Sequence, residues 1–260
     1  MRAYPLLALA LLAGACAPQP PKPPEFTPPP PSNQATDGRN RAQIHTELGA
    51  SYYEIGQYGV ALEEVNEALK ADASYGPAYN VLGLVYMELR EDALARENFE
   101  RALRLNPTDP DANNNYGWFL CQRKHEDEAI KYFLAALKNP LYKTPEKSFV
   151  NAGVCARQRG DDVAALDYFT RALKARPDQP QALYNLADLA FRRADYDAAR
   201  EYLTRFARVG APVSAEQLWL AIRVENKLGD RDAVASYGLQ LRKNFPNSKE
   251  ARAFANRQFE

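Results

Sequence analysis

Residues 76–109 read GPAYNVLGLVYMELREDALARENFERALRLNPTD, and the reading of this stretch decides the fold. Leu82-Gly83 stands in the middle of its first half. Ala95 and Phe99 mark the second half, Ala102 follows three residues later, and Pro107 closes the segment. The same set returns on both sides. Leu48-Gly49, Tyr116-Gly117, Ala152-Gly153, Leu186-Ala187 and Leu220-Ala221 repeat the first pair at intervals of about 34 residues. Roughly a dozen residues after each pair comes a small side chain: Ala61, Ala95, Ala129, Ala165, Ala199 and Ala233. Four residues further sits a larger one: Val65, Phe99, Phe133, Phe169, Leu203 and Tyr237. Ala68, Ala136 and Ala172 match Ala102, and Pro177 matches Pro107.

A period of about 34, with Gly or Ala where two helices cross closely, is the tetratricopeptide signature. One such helix pair cannot bury its apolar face alone, so pairs stack into a superhelix whose concave side holds other chains. The fold expected is therefore all-α, a tetratricopeptide-repeat superhelix of about six helix pairs with a C-terminal capping helix. The repeats run approximately 42–75, 76–109, 110–145, 146–179, 180–213 and 214–247. The third is about two residues longer, and Asn139 to Pro145 holds the excess in a turn. Gly56, Gly160 and Gly229 fall between the two helices of a repeat, and Pro77, Pro107, Pro110, Pro177, Pro180 and Pro246 fall between repeats. Segment 248–260 opens on Ser248, a good N-cap residue, and sets Ala251, Phe254 and Ala255 against a polar face. That pattern suits a cap on the open end of the stack.

The front of the chain is built differently. Met1-Arg2 is a short basic region, Leu6 to Leu12 a brief apolar run, and Ala13-Gly14-Ala15-Cys16 a small-residue cleavage site. The run is far short of the ~20 residues that a spanning helix needs. Residues 1–15 are thus read as a signal peptide. The four residues at the site resemble a lipoprotein signal box, which makes Cys16 the lipidated N-terminus. Ala13-Gly14-Ala15 equally suits conventional cleavage after Ala15. Resemblance to bacterial lipoproteins also implies an outer-membrane destination, because Ala17 stands where inner-membrane retention usually needs Asp. Residues 16–41 form a Pro-rich tether, with Pro18, Pro20, Pro21, Pro23, Pro24 and Pro28 to Pro31 opposing both helix and sheet. At ~3.1 Å per residue such a tether reaches up to roughly 75 Å.

The remaining chemistry is sparse. The 33 basic and 33 acidic residues cancel, so no nucleic-acid partner is indicated. Cys121 and Cys155 lie on neighbouring helices of an exported chain, either as a disulfide or as two small buried hydrophobes. His125-Glu126 begins like a zinc-protease motif, but Ala129 stands where the second His would be. His45 is the one other histidine. No catalytic residue, metal site or cofactor is nominated, and the chain is read as a binding surface rather than an enzyme.

The register also nominates that surface. Positions of each repeat's first helix that point into the groove are Tyr53, Asn80, Leu84, Met87, Asn114, Trp118, Tyr184, Asp188 and Phe191. Aromatic and Met side chains on an open groove are typical anchors for a partner segment. For Trp118 and Tyr184, core packing weighs as heavily as groove contact. Asn113-Asn114-Asn115 is expected to cap a helix with its first residue and to leave amides free for a partner's backbone.

Those asparagines carry a more specific likeness. Asn113 to Cys121, the insertion around Pro140-Leu141-Tyr142, Cys155, and Ala235 to Leu241 followed by Phe245-Pro246 resemble the type IV pilus biogenesis lipoproteins of Proteobacteria, the PilF/PilW pilotins. The likeness covers signal, lipid-bearing Cys, six repeats and cap. It implies a lipoprotein anchored in the outer membrane and facing the periplasm, which binds pilus secretin subunits and promotes their localisation and assembly into multimers. Other pilus-assembly proteins are further partners, and the family's cysteine pair, matching Cys121 and Cys155, is expected to be bridged. Ala13 departs from the usual lipid box and bears on the anchor rather than the fold. Two rival readings are a β-barrel assembly lipoprotein and a non-lipidated periplasmic scaffold regulating cell-wall enzymes.

Overall fold

The computed structural model describes residues 34–259. The signal peptide, Cys16 and the tether up to residue 33 lie outside the described residues. Thirteen α-helices and no strand make up the described part. They form six pairs: α1 (Gln34–Glu54) with α2 (Tyr58–Ala71), α3 (Gly76–Glu88) with α4 (Asp92–Leu105), α5 (Pro110–Gln122) with α6 (Glu126–Ala136), α7 (Pro145–Gln158) with α8 (Asp162–Ala175), α9 (Pro180–Arg192) with α10 (Tyr196–Val209), and α11 (Ala215–Leu228) with α12 (Arg231–Asn244). A short α13 (Lys249–Ala255) closes the stack. None of the described helices is long and apolar enough to cross a membrane.

Helix ends follow local chemistry. Asp109, Asp161, Asp195, Ser214, Asp230 and Ser248 each accept a backbone N–H at an N-cap, and Ser214 with Gln217 completes a capping box. Pro77, Pro110, Pro145 and Pro180 sit in first turns, where a missing N–H costs nothing. The turn inside each repeat needs one left-handed residue. Gly56, Gly160 and Gly229 supply it at φ of 75°, 84° and 79°. In the other three repeats Arg90, Lys124 and Ala194 are forced into the same region at 64°, 61° and 59°.

In the first four repeats the first helix meets the large residue of the second at its Gly. A Cβ on Gly83, Gly117 or Gly153 would lie 2.6, 2.9 or 2.6 Å from the ring of Phe99, Phe133 or Phe169. Each ring is fully buried, so the missing Cβ is what lets the helices approach. The fifth repeat makes the reciprocal choice, with Ala187 and the smaller Leu203. First helices of successive repeats touch, α1 with α3, α3 with α5, α5 with α7 and α9 with α11, while the second helices form no comparable contacts. The first helices therefore line the inner, concave side.

Three details differ from the sequence reading. Helix α1 starts at Gln34, so residues 34–41 are helical rather than tether. The prolines end at Pro31, Gly38 lets the helix lie against the carbonyl of Ala71, and Arg39 reaches Asp72 at 3.6 Å. The α5 cap is Asp109, with Asn113 a turn inside the helix. In α13, Ala251 is buried and Phe254 half-buried, but Ala255 is exposed because the helix ends there. The long connection before α7 is held by Tyr142, which is buried and whose hydroxyl lies 3.3 Å from that of Ser148.

Candidate functional site: the inner face of the repeats

An asparagine ladder runs across the inner face. Asn115 Nδ2 donates to Asn80 Oδ1 at 3.2 Å, linking α5 to α3. Asn114 Nδ2 donates to Asn115 Oδ1 at 3.3 Å, and Asn151 Nδ2 of α7 donates to Asn114 Oδ1 at 3.1 Å. Ser148 Oγ also donates to Asn114 Oδ1 at 2.9 Å. Asn113 is buried and donates to the carbonyls of Pro107 and Asp109. The amides expected to be free for a partner are therefore spent largely on one another and on the helix start. A connected amide network of this kind fixes side-chain orientation and leaves only its unpaired lobes for a ligand.

Below the ladder a cleft of about 300 Å³ opens between α5, α7 and α9, lined by Asn114, Asn115, Trp118, Asn151, Val154 and Asn185 among others. Trp118 is half-buried at its wall. Arg157 of α7 reaches across to α9, where its Nη1 donates to Asn185 Oδ1 at 2.6 Å and its guanidinium also pairs with Asp188. Arg192 reaches Asp188 at 3.5 Å. Tyr184 and Asp188 line a second cavity farther along, and burial, then the Asp188 charge, raises the Tyr184 phenol above its ordinary value. Phe191 lies under the Arg223 guanidinium at 4.3 Å.

The nominated residues thus separate. Asn114, Trp118, Tyr184 and Asp188 line the two inner cavities, and Asn80 belongs to the ladder. Leu84 is half-buried against the core. Tyr53 packs on Tyr58 at 6.0 Å, and burial followed by the Glu88 charge pushes its phenol up to about 12. Met87 is a correction: it is 4% exposed and belongs to the core, because the following repeat covers its side of α3. Asn151, Val154, Asn185, Trp219 and Arg223 were not nominated. The first and third could have been found, since Asn115, Asn151 and Asn185 recur at the repeat period.

Cys121 of α5 and Cys155 of α7 are joined across the third and fourth repeats, with Cα atoms 5.8 Å apart. His45 Nδ1 lies 2.7 Å from Glu64 Oε2 within the first helix pair, and His125 is the N-cap of α6. Among the described residues no group of three metal-ligating side chains comes together. The inner face has the makings of a peptide-binding surface: apolar walls, oriented amides and paired charges.

Comparison with known proteins agrees with this architecture. A Tetratricopeptide repeat family matches residues 61–205, and a second family of that description matches 184–249. The chain is 34% identical over 218 residues to the type IV pilus assembly protein PilF of Pseudomonas aeruginosa, covering 84% of this chain and 86% of that one. The chain belongs to the PilF family of tetratricopeptide-repeat pilus assembly proteins. The solved structure of P. aeruginosa PilF superposes with a TM-score of 0.79 at 32% identity, over 85% of this chain and 99% of that one. That of PilW, described as a widely conserved type IV pilus biogenesis factor, gives 0.72 at 32% identity, over 82% and 97%. As a repeat scaffold of type IV pilus biogenesis, this PilF-family chain is not an enzyme.

Proposed function

We propose that the chain is a pilotin: an exported lipoprotein, acylated on Cys16, that stands on the periplasmic side of the outer membrane and holds pilus secretin subunits while they assemble into multimers. The observation that carries this reading is the similarity to PilF through nearly the whole repeat array. The inner face described above offers the binding surface, with Trp118 and Tyr184 as aromatic anchors and the asparagine ladder as a polar rail. An extended or helical segment of a secretin subunit suits such a groove. A Cys carrying several acyl chains gives firm attachment, whereas one chain is marginal.

The test is a deletion strain, scored by immunoblot for detergent-resistant secretin multimers and by fractionation for secretin in inner and outer membranes. Loss of multimers, or their appearance in the inner membrane, with normal growth, is the expected result. Unchanged secretin removes the reading. Complementation with Cys16→Ala should give a folded chain that leaves the secretin misplaced. Normal secretin placement in that strain would separate the anchor from the function.

A further inference from the structure

The C-terminal end of the inner face departs from the repeat pattern. Three residues beyond the Leu-Gly register, α3, α5, α7 and α9 carry Val85, Phe119, Cys155 and Leu189, all buried against the preceding repeat. In α11 that position is Arg223, half-buried and polar. The junction it leaves is a cavity of about 410 Å³, bounded by Tyr184 and Asp188 of α9, Trp219 and Arg223 of α11, and Lys249 of α13. That volume lies within the ~300–1,000 Å³ usual for ligand sites.

The chain's own tail is seated on the same two α11 residues. Beyond α13, the Phe259 ring stacks on Trp219 with centroids 5.8 Å apart and meets Phe254 edge-on at 6.2 Å. Arg223 Nε donates to the Phe259 main-chain carbonyl at 3.3 Å, while its guanidinium lies over Phe191. A ring held on a tryptophan, with the adjoining carbonyl held by an arginine, is the way a groove takes an extended peptide. Phe259 lies outside any helix and is half-exposed, so it can leave without unwinding an element.

We infer that the Trp219–Arg223 face at the edge of this junction is a recognition site for an aromatic residue in an extended segment of a partner protein, and that Phe259, seated on that face beside the open cavity, is its internal stand-in. The tail is covalently tethered, so it competes at an effective concentration in the ~mM range. A partner's segment displaces it and gains the Trp219 stack and the Arg223 donor. The site is separate from the cleft beside Trp118, and the inference does not depend on which pilus protein supplies the segment.

The probe is a fluorescein-labelled peptide of residues 256–260, Asn-Arg-Gln-Phe-Glu, titrated by fluorescence anisotropy against the full chain and its variants. Phe259→Ala, which vacates the site, should bind at least ten-fold more tightly than the unaltered chain. Adding Trp219→Ala should abolish the gain, and so should replacing Phe by Ala in the peptide. Far-UV circular dichroism checks the fold of each variant. If Trp219→Ala unfolds the last repeat, Arg223→Gln removes the donor to the main-chain carbonyl and serves in its place. Equal or absent binding by the chain and by Phe259→Ala overturns the inference, as does a gain that survives both α11 changes. Concentration-dependent dimerisation lost in Phe259→Ala would assign the site to the tail of a second copy and also overturn it.

Discussion

Gly153→Ala adds one methyl group where the structure leaves no room for it. The new Cβ would stand 2.6 Å from Cε1 of Phe169 and 2.8 Å from two further ring carbons. Ordinary contact begins near 3.4 Å, so the ring or helix α8 must recede by almost 1 Å. Phe169 is fully buried in a cluster with Ala152, Cys155 and Leu186, which blocks that retreat. Overpacking of this kind costs about 1–3 kcal/mol, and the better helix propensity of Ala returns about 1 kcal/mol. The net expectation is a loss of up to about 2 kcal/mol. Gly59, with nothing within 4 Å of its added Cβ, is the control: Gly59→Ala should be neutral or stabilising. Phe169→Leu opens a void alone but should rescue Gly153→Ala, because the pair then copies Ala187 with Leu203 in the fifth repeat. Urea unfolding followed by far-UV circular dichroism measures each variant, and unchanged slopes license the comparison of midpoints. A Gly153→Ala variant more stable than the parent, or a double variant no better than the sum of the singles, would refute the reasoning.

Other outcomes follow from the same contacts. Ala194→Gly relieves a left-handed residue at φ 59° and should stabilise the fifth repeat by about 0.5–1 kcal/mol, whereas Gly160→Ala at φ 84° should cost about 1 kcal/mol; thermal melts decide the signs. The cysteines close a loop of sequence separation 34, so reduction, or Cys155→Ser, should lower stability by about 3–4 kcal/mol, read from urea midpoints with and without reductant. The hydrogen bond from Arg123 holds the Asp92 carboxyl below its ordinary value. Its stabilising effect is complete above the unfolded value near pH ~4 and is lost as pH falls through the lower folded value. Asp92→Asn should therefore be less stable than the parent at neutral pH and converge with it in strong acid. Trp118→Ala should weaken secretin capture in pull-down with helical content retained; loss of helix instead would make Trp118 a core residue.

The period of about 34 residues determined the repeat architecture because it records a local necessity, a small residue facing a large one in every helix pair. Gly83 with Phe99 and Gly153 with Phe169 are legible as spacing before any coordinate is known. Proline and cap chemistry likewise placed most helix ends, since both act within a few residues of chain. The groove was legible only in part. Trp118, Tyr184 and Asp188 could be assigned to the inner face by register, but register treats every repeat alike and cannot say how far its neighbour covers it. Met87 passed into the core for that reason. The asparagines closed into a ladder because Asn80, Asn115, Asn114 and Asn151 come from three helices, and only stacking sets their amides about 3 Å apart. The seat of Phe259 on Trp219 depends on the chain turning back after α13, a path that no periodicity encodes. Local packing rules repeat along the sequence, whereas contacts between repeats and at the end of the stack arise only when the superhelix is assembled.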